Sequence, residues 1–172
     1  MALTAKLTRL FGGSRPPQPA EAAYAAIVAE ARQPAWFTRA EVPDTVDGRF
    51  DALALVLSLV LARAQGAGDR VFEAALVDRF ADDMDASFRE MGVGDLSISK
   101  TVGQATGALG GRLTAYRDAL ASSAGLDDAL VRNLYRGAPP SAHALAAAHE
   151  LTERLAERIG AAPWEAVAEG RW

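Results

Sequence analysis

The residues able to do acid–base or metal chemistry are few, and their spacing brings no matched set together. His143 and His149 lie six positions apart in an alanine-rich stretch. On a helix that spacing puts them on opposite faces, so they cannot chelate one ion together, and each reads as a surface or partly buried side chain. A zinc protease needs two histidines four apart with a glutamate, and this is absent. Asp78, Asp82, Asp83, Asp85 and Glu90 follow a helical rhythm, and carboxylates so spaced can bind magnesium or iron. Di-iron bundles, however, face such acids with a Glu-x-x-His on other helices, and no second acidic segment here carries a histidine. Arg79 and Arg89 lie among these acids, so the stripe reads as a salt-bridged, solvated face or as an acidic docking face for a basic partner. Ser87, Ser97 and Ser99 have no histidine placed by a motif. Gly107 to Gly111 lies inside a helical pattern and lacks the lysine of a phosphate loop. The chain is therefore expected to be a binding protein, with no enzyme activity, cofactor or metal.

The elements that carry these residues are helical. Half the residues are hydrophobic and the net charge is −4. Val, Ile and aromatic residues never alternate over a run, so strands have no support. A net acidic chain without a basic cluster does not suit nucleic acid. With no cysteine, disulfides and thiolate metal sites are excluded. The expected fold is all-α, one domain of about six to eight helices over residues 20–172, preceded by a basic segment and a Gly/Pro-rich linker over residues 1–19. Leu3, Leu7, Leu10 and Phe11 recur at helical spacing among Lys6 and Arg9. Residues 1–11 thus read either as a frayed terminus or as a basic amphipathic helix that touches an anionic membrane.

Asp44 and Thr45 can cap a helix from Val46 or Phe50 to Gln65. It is apolar on every side, so it is expected to be buried at the centre. Its apolar run, Ala52 to Ala62, spans roughly 16 Å, about half a bilayer core. The next helix, from Asp69 to Gly92, should bury Val77, Phe80, Met84, Phe88 and Met91. A long helix from Asp95 or Ser97 to Ala121 carries Gly103, Gly107 and Gly111 four apart. Interior glycines cost about 1 kcal/mol each relative to alanine. The stripe therefore implies either close approach of a neighbouring helix or a groove for a partner's helix. Two corners concentrate unusual residues: Val42–Phe50 and Arg89–Asp95. The first reads as a cap with a buried ion pair at Arg49 or as a rigid binding edge, and the second carries the same two readings.

These corners carry a resemblance. The runs Ala-Arg-Gln-Pro at 31–34, Val-Pro-Asp-Thr-Val-Asp-Gly-Arg-Phe at 42–50, Asp-Met-Asp at 83–85 and Arg-Glu-Met-Gly-Val-Gly-Asp-Leu at 89–96, with Lys100, are similar to the ubiquinol–cytochrome c chaperone family. The ordered similarity covers about Tyr24 to Leu120, and Arg-Asn-Leu-Tyr-Arg-Gly at 132–137 looks like bacterial members. Leu109 and Gly110 stand where the family typically has an aromatic pair before Gly111 and Arg112. The resemblance implies an assembly chaperone of respiratory complex III. It would hold newly made cytochrome b, or another membrane-protein client, without ATP and alongside a second assembly factor. The alternative is a general helical scaffold or membrane-surface adaptor. The expected place is the cytoplasm, with a peripheral contact at the inner face of the inner membrane left open. Trp36, Phe37, Arg49, Phe50, Arg89 and Lys100 are expected to face the partner or support the surface that does. Asp44, Asp47, Asp95, Gly107 and Gly111 complete the expected partner-binding set.

Overall fold

A computed structural model describes residues 20–122 and 125–172; the expectations for residues 1–19 lie outside them. The described residues form eight helices and no strand. They are α1 (Glu21–Ala31), α2 (Pro34–Thr38), α3 (Val46–Ala67), α4 (Arg70–Glu90), α5 (Asp95–Ser122), α6 (Leu126–Asn133), α7 (Ala142–Ala161) and α8 (Trp164–Ala168). The boundaries follow local chemistry. The hydroxyls of Thr45 and Ser141 accept from the amides of Gly48 and Ala144, and the Asp69 carboxylate accepts from Phe72, each three residues on. These are side-chain caps that satisfy first-turn amides. Gly68 ends α3 in the left-handed region at φ 74°, where a residue without Cβ is unstrained.

Helix α3 lies at the centre, in contact with α1, α4, α5, α7 and α8. Every residue from Asp51 to Leu61 is buried. Leu55, Val56 and Leu57, which point to three different sides of the helix, are each 0% exposed. Burial of each such side chain contributes roughly 1.5–3 kcal/mol, so an all-round apolar helix is stable only when surrounded. The helix is longer than its apolar run. Its 22 residues could cross a membrane by length and composition, but its neighbours in the bundle cover it.

Two expectations change. The buried line on α4 is Phe72, Leu76, Phe80 and Met84, one turn earlier than expected; Val77 and Phe88 are half-buried and Met91 is 50% exposed. The chain turns away at Gly92, φ 85°, before Met91 can reach the core. The glycines of α5 do not let a neighbour in. Gly103, Gly107, Gly110 and Gly111 are all exposed, and a Cβ built on any of them meets nothing within 4 Å. Close packing inside the fold therefore does not account for them.

Candidate client-binding groove

The segment before α3 is built around a close approach. A Cβ at Gly48 would lie 1.9 Å from the Pro43 carbonyl oxygen, so only glycine lets the Pro43 turn fold back on the first turn of α3. That packing sets Asp47 and Asp51, one turn apart, on one face of α3 and turns Arg49 and Phe50 to other sides. The Arg49 guanidinium donates to Asp44 at 2.7 Å, with both side chains more than 60% exposed; this contact lowers the Asp44 pKa and raises that of Arg49. The Phe50 ring lies 6.2 Å from Phe80 and 5.4 Å from the Arg112 guanidinium.

The buried ion pair foreseen for Arg49 belongs instead to Asp51. Its side chain is 1% exposed and accepts from Arg112 at 2.6 Å and from Arg136 at 2.5 Å. Arg136 also reaches Asp47 at 2.9 Å. The Asp51 carboxylate holds the Arg136 pKa above its ordinary value. Arg136 sits at φ 53°, a left-handed conformation uncommon for a residue with a Cβ, at the turn after α6. Three parts of the chain, α3, α5 and the α6–α7 turn, thus meet on one carboxylate. A buried charge needs such partners, since leaving water costs it several kcal/mol. Sequence reading missed this cluster, because Asp51 looks like the polar boundary of an apolar run and its partners lie 61 and 85 positions away. Arg136 does stand inside a run that carries the family resemblance, at 132–137, and Arg112 follows the Leu109–Gly110 pair where the chain departs from it.

Above this cluster an open groove of about 1020 Å³ runs between α1, α3, α4 and α5. Its apolar lining includes Val28, Phe50, Leu53, Met84, Phe88 and Met91. The α5 wall presents Thr101, Gln104, Ala105 and Ala108, positions that share one helix face. Methionine and phenylalanine on an open, half-buried surface suit adaptable contact with another apolar surface.

The structure brings part of the expected set together. Asp47, Arg49 and Phe50 line the groove, and Asp44 stands beside them as the partner of Arg49. Arg89 pairs with Asp85 at 2.6 Å and with Asp95 at 2.5 Å. It thereby closes the corner next to the lining residues Phe88, Glu90 and Met91. Asp85 raises the Arg89 pKa first and Asp95 second. Lys100 is exposed and follows the same corner. Gly107 and Gly111 are exposed neighbours of the lining residues Ala108 and Arg112. Trp36 and Phe37 are elsewhere. Trp36 is 2% exposed, with its indole donating to the Glu30 carbonyl, and Phe37 is half-buried against the core; both support the fold.

The acids of α4 are divided among several partners. Asp83 accepts from the Tyr24 hydroxyl at 2.8 Å, and burial followed by Asp83 pushes the tyrosine pKa up. Asp85 belongs to Arg89, and Asp78 and Asp82 are exposed. The His149 imidazole donates to the carboxylate of Asp127 from Nδ1 (2.7 Å), and its Nε2 lies 3.2 Å from Glu153; none of the three lines the groove.

The family model described as ubiquinol–cytochrome C chaperone matches residues 38–172. The match begins after Trp36 and Phe37 and continues past Leu120 to the last residue, so α6–α8 belong to the similarity as fully as the central helices. The crystal structure of a Cbp3 homolog from Brucella abortus is similar to this chain with a TM-score of 0.72 and 31% identity, over 95% of this chain and 93% of that one. No curated protein matches. By sequence and by fold, the chain belongs to the ubiquinol–cytochrome c chaperone family.

Proposed function

We propose that this protein is an assembly chaperone of respiratory complex III that holds newly made cytochrome b in the groove between α1, α3, α4 and α5, without ATP. The carrying observation is the groove itself. It is an open, Met- and Phe-lined surface placed where the 42–50 and 89–96 runs meet, and its base is fixed by the Asp51 cluster. Family membership supplies the class of work, and the groove supplies a place for an apolar segment that has not yet packed against its subunits. Such a segment leaves the groove when better partners form, because reversible apolar contact needs no chemical step. The work is assigned to the cytoplasmic face of the inner membrane, where the client emerges.

Gene deletion under respiring conditions tests this. The expected result is a loss of assembled complex III with cytochrome b transcript unchanged, restored by the wild-type gene and not by Phe88→Asp. ATP depletion should leave the chaperone–client complex intact. Normal complex III in the deletion strain would refute the assignment.

A further inference from the structure

We infer that the groove receives a helix whose apolar face carries a carboxylate at one end, and that Arg132 recognises that carboxylate. The inference rests on the client-holding reading and narrows it to the chemistry of one segment. Three observations carry it.

The first is shape. A helix about 10 Å across with a 5.4 Å pitch fills roughly 400 Å³ per turn, so about 1020 Å³ takes a little over two turns. The α5 wall presents short side chains at Thr101, Ala105 and Ala108, with Gln104 among them. Another helix can therefore approach the α5 backbone closely.

The second is charge. Of the groove's arginines, Arg49 is matched by Asp44, and Arg112 and Arg136 by Asp51 and Asp47. Arg32 and Arg132 are both exposed and make no ion pair among the described residues; Arg132 stands in the last turn of α6, one turn before Arg136. That end of the groove carries one uncompensated positive charge. The α1–α4 end has the opposite sign: Asp83 and Glu90 stand against Arg32 alone.

The third is direction. A helix with its acid over Arg132 places its other end near Glu90, where a second acid is repelled. The two ends together fix one orientation and discriminate against the reverse, which is the main use of charge at an interface.

The test places a photoreactive benzoylphenylalanine at Ala108 in the full chain, in cells, and identifies the trapped peptide. The expected product is an apolar segment with helical spacing and an Asp or Glu at one end. Arg132→Glu, an exposed change, should lower the yield about ten-fold, as expected for one interfacial charge contact. Arg132→Gln should fall between, and replacing the trapped segment's acid by lysine should restore the Arg132→Glu yield. Circular dichroism melting confirms that the variants fold. Unchanged yield in Arg132→Glu, a trapped segment without an acid, a trapped lipid only, or no product would overturn the inference. The two readings separate cleanly. Trapped cytochrome b that is indifferent to Arg132 leaves the chaperone assignment standing and removes the carboxylate. A charge-reversible helix contact in a cell whose complex III ignores the deletion does the opposite.

Discussion

Replacing Asp51 by alanine should be among the most damaging single changes outside the purely apolar core. The carboxylate is 1% exposed and the Arg112 side chain 14%, so the substitution leaves a largely buried guanidinium without its counter-charge. Breaking a buried pair in this way costs about 3–5 kcal/mol. For a chain of this length that is a fall of roughly 6–20 °C in Tm, at about 2–4 °C per kcal/mol. The cost should be unequal around the cluster. Arg136 is 47% exposed and keeps Asp47 within reach. Arg136→Ala, which leaves Asp51 with Arg112, should therefore cost about 1–2 kcal/mol. The double change Asp51→Leu with Arg112→Met removes both charges and should recover most of the Asp51→Ala loss, since an apolar pair of similar volume is often as stable as the ion pair. Urea unfolding followed by circular dichroism gives the midpoints, and a double-mutant cycle gives the coupling. A loss below about 1 kcal/mol for Asp51→Ala, or no coupling between the two positions, would refute the view that this carboxylate organises the groove.

Other substitutions test neighbouring arguments. Gly48→Ala should destabilise by about 2 kcal/mol or more, because its Cβ meets the Pro43 carbonyl and the turn must move. Gly107→Ala should instead stabilise by about 0.5–1 kcal/mol, read as a higher urea midpoint, since its Cβ enters open space and alanine is the better helix former. The Tyr116 hydroxyl is buried with no hydrogen-bond partner among the described residues, so Tyr116→Phe should be neutral or stabilising by up to about 1 kcal/mol in the same assay. His149 has its pKa raised above 6.5, first by the Asp127 hydrogen bond. Its contribution to stability is thus full below 6.5 and is lost as pH rises through the folded value. The gap in urea midpoint between wild type and His149→Gln should shrink across that window, and a gap that grows with pH would contradict the geometry.

Much of the architecture was legible because it rests on short-range chemistry. Thr45, Asp69 and Ser141 cap the helices they precede, Gly68 ends α3, and an apolar run bounded by polar residues is enclosed as its composition demands. What failed was whatever depends on where the chain goes next. Met91 fits the periodic line of α4, yet the turn at Gly92 carries the chain off the core before Met91 can bury. The glycines of α5 admitted two readings of equal spacing, and the empty space around them removes the one in which a neighbouring helix of the fold packs close. Asp51 was the largest omission. A carboxylate at the head of an apolar run looks like a boundary until two arginines from distant helices arrive to bury it. Candidate residues at 44–50 were found because odd residue types crowd there. Arg132 and Arg136 were seen only as part of a recognisable run, with no hint that they border the same groove.

The enclosure of α3 also has a consequence in time. Taken alone, the most apolar 18-residue stretch of Val46–Ala67 has a mean hydropathy of 1.5, and the helix's 22 residues extend about 33 Å, the thickness of a bilayer core. The arginines that neutralise Asp51 are made 61 and 85 residues later. At about 5–20 residues per second, roughly 4–17 s pass between synthesis of Asp51 and of Arg136. Until those arginines are made, the nascent chain carries an apolar helix that the later helices of the bundle have not all covered. A truncation before Arg112 should therefore partition into membranes or aggregate more than the 172-residue chain does. A member of an assembly-chaperone family thus passes, during its own synthesis, through an exposed state of the kind that chaperones guard.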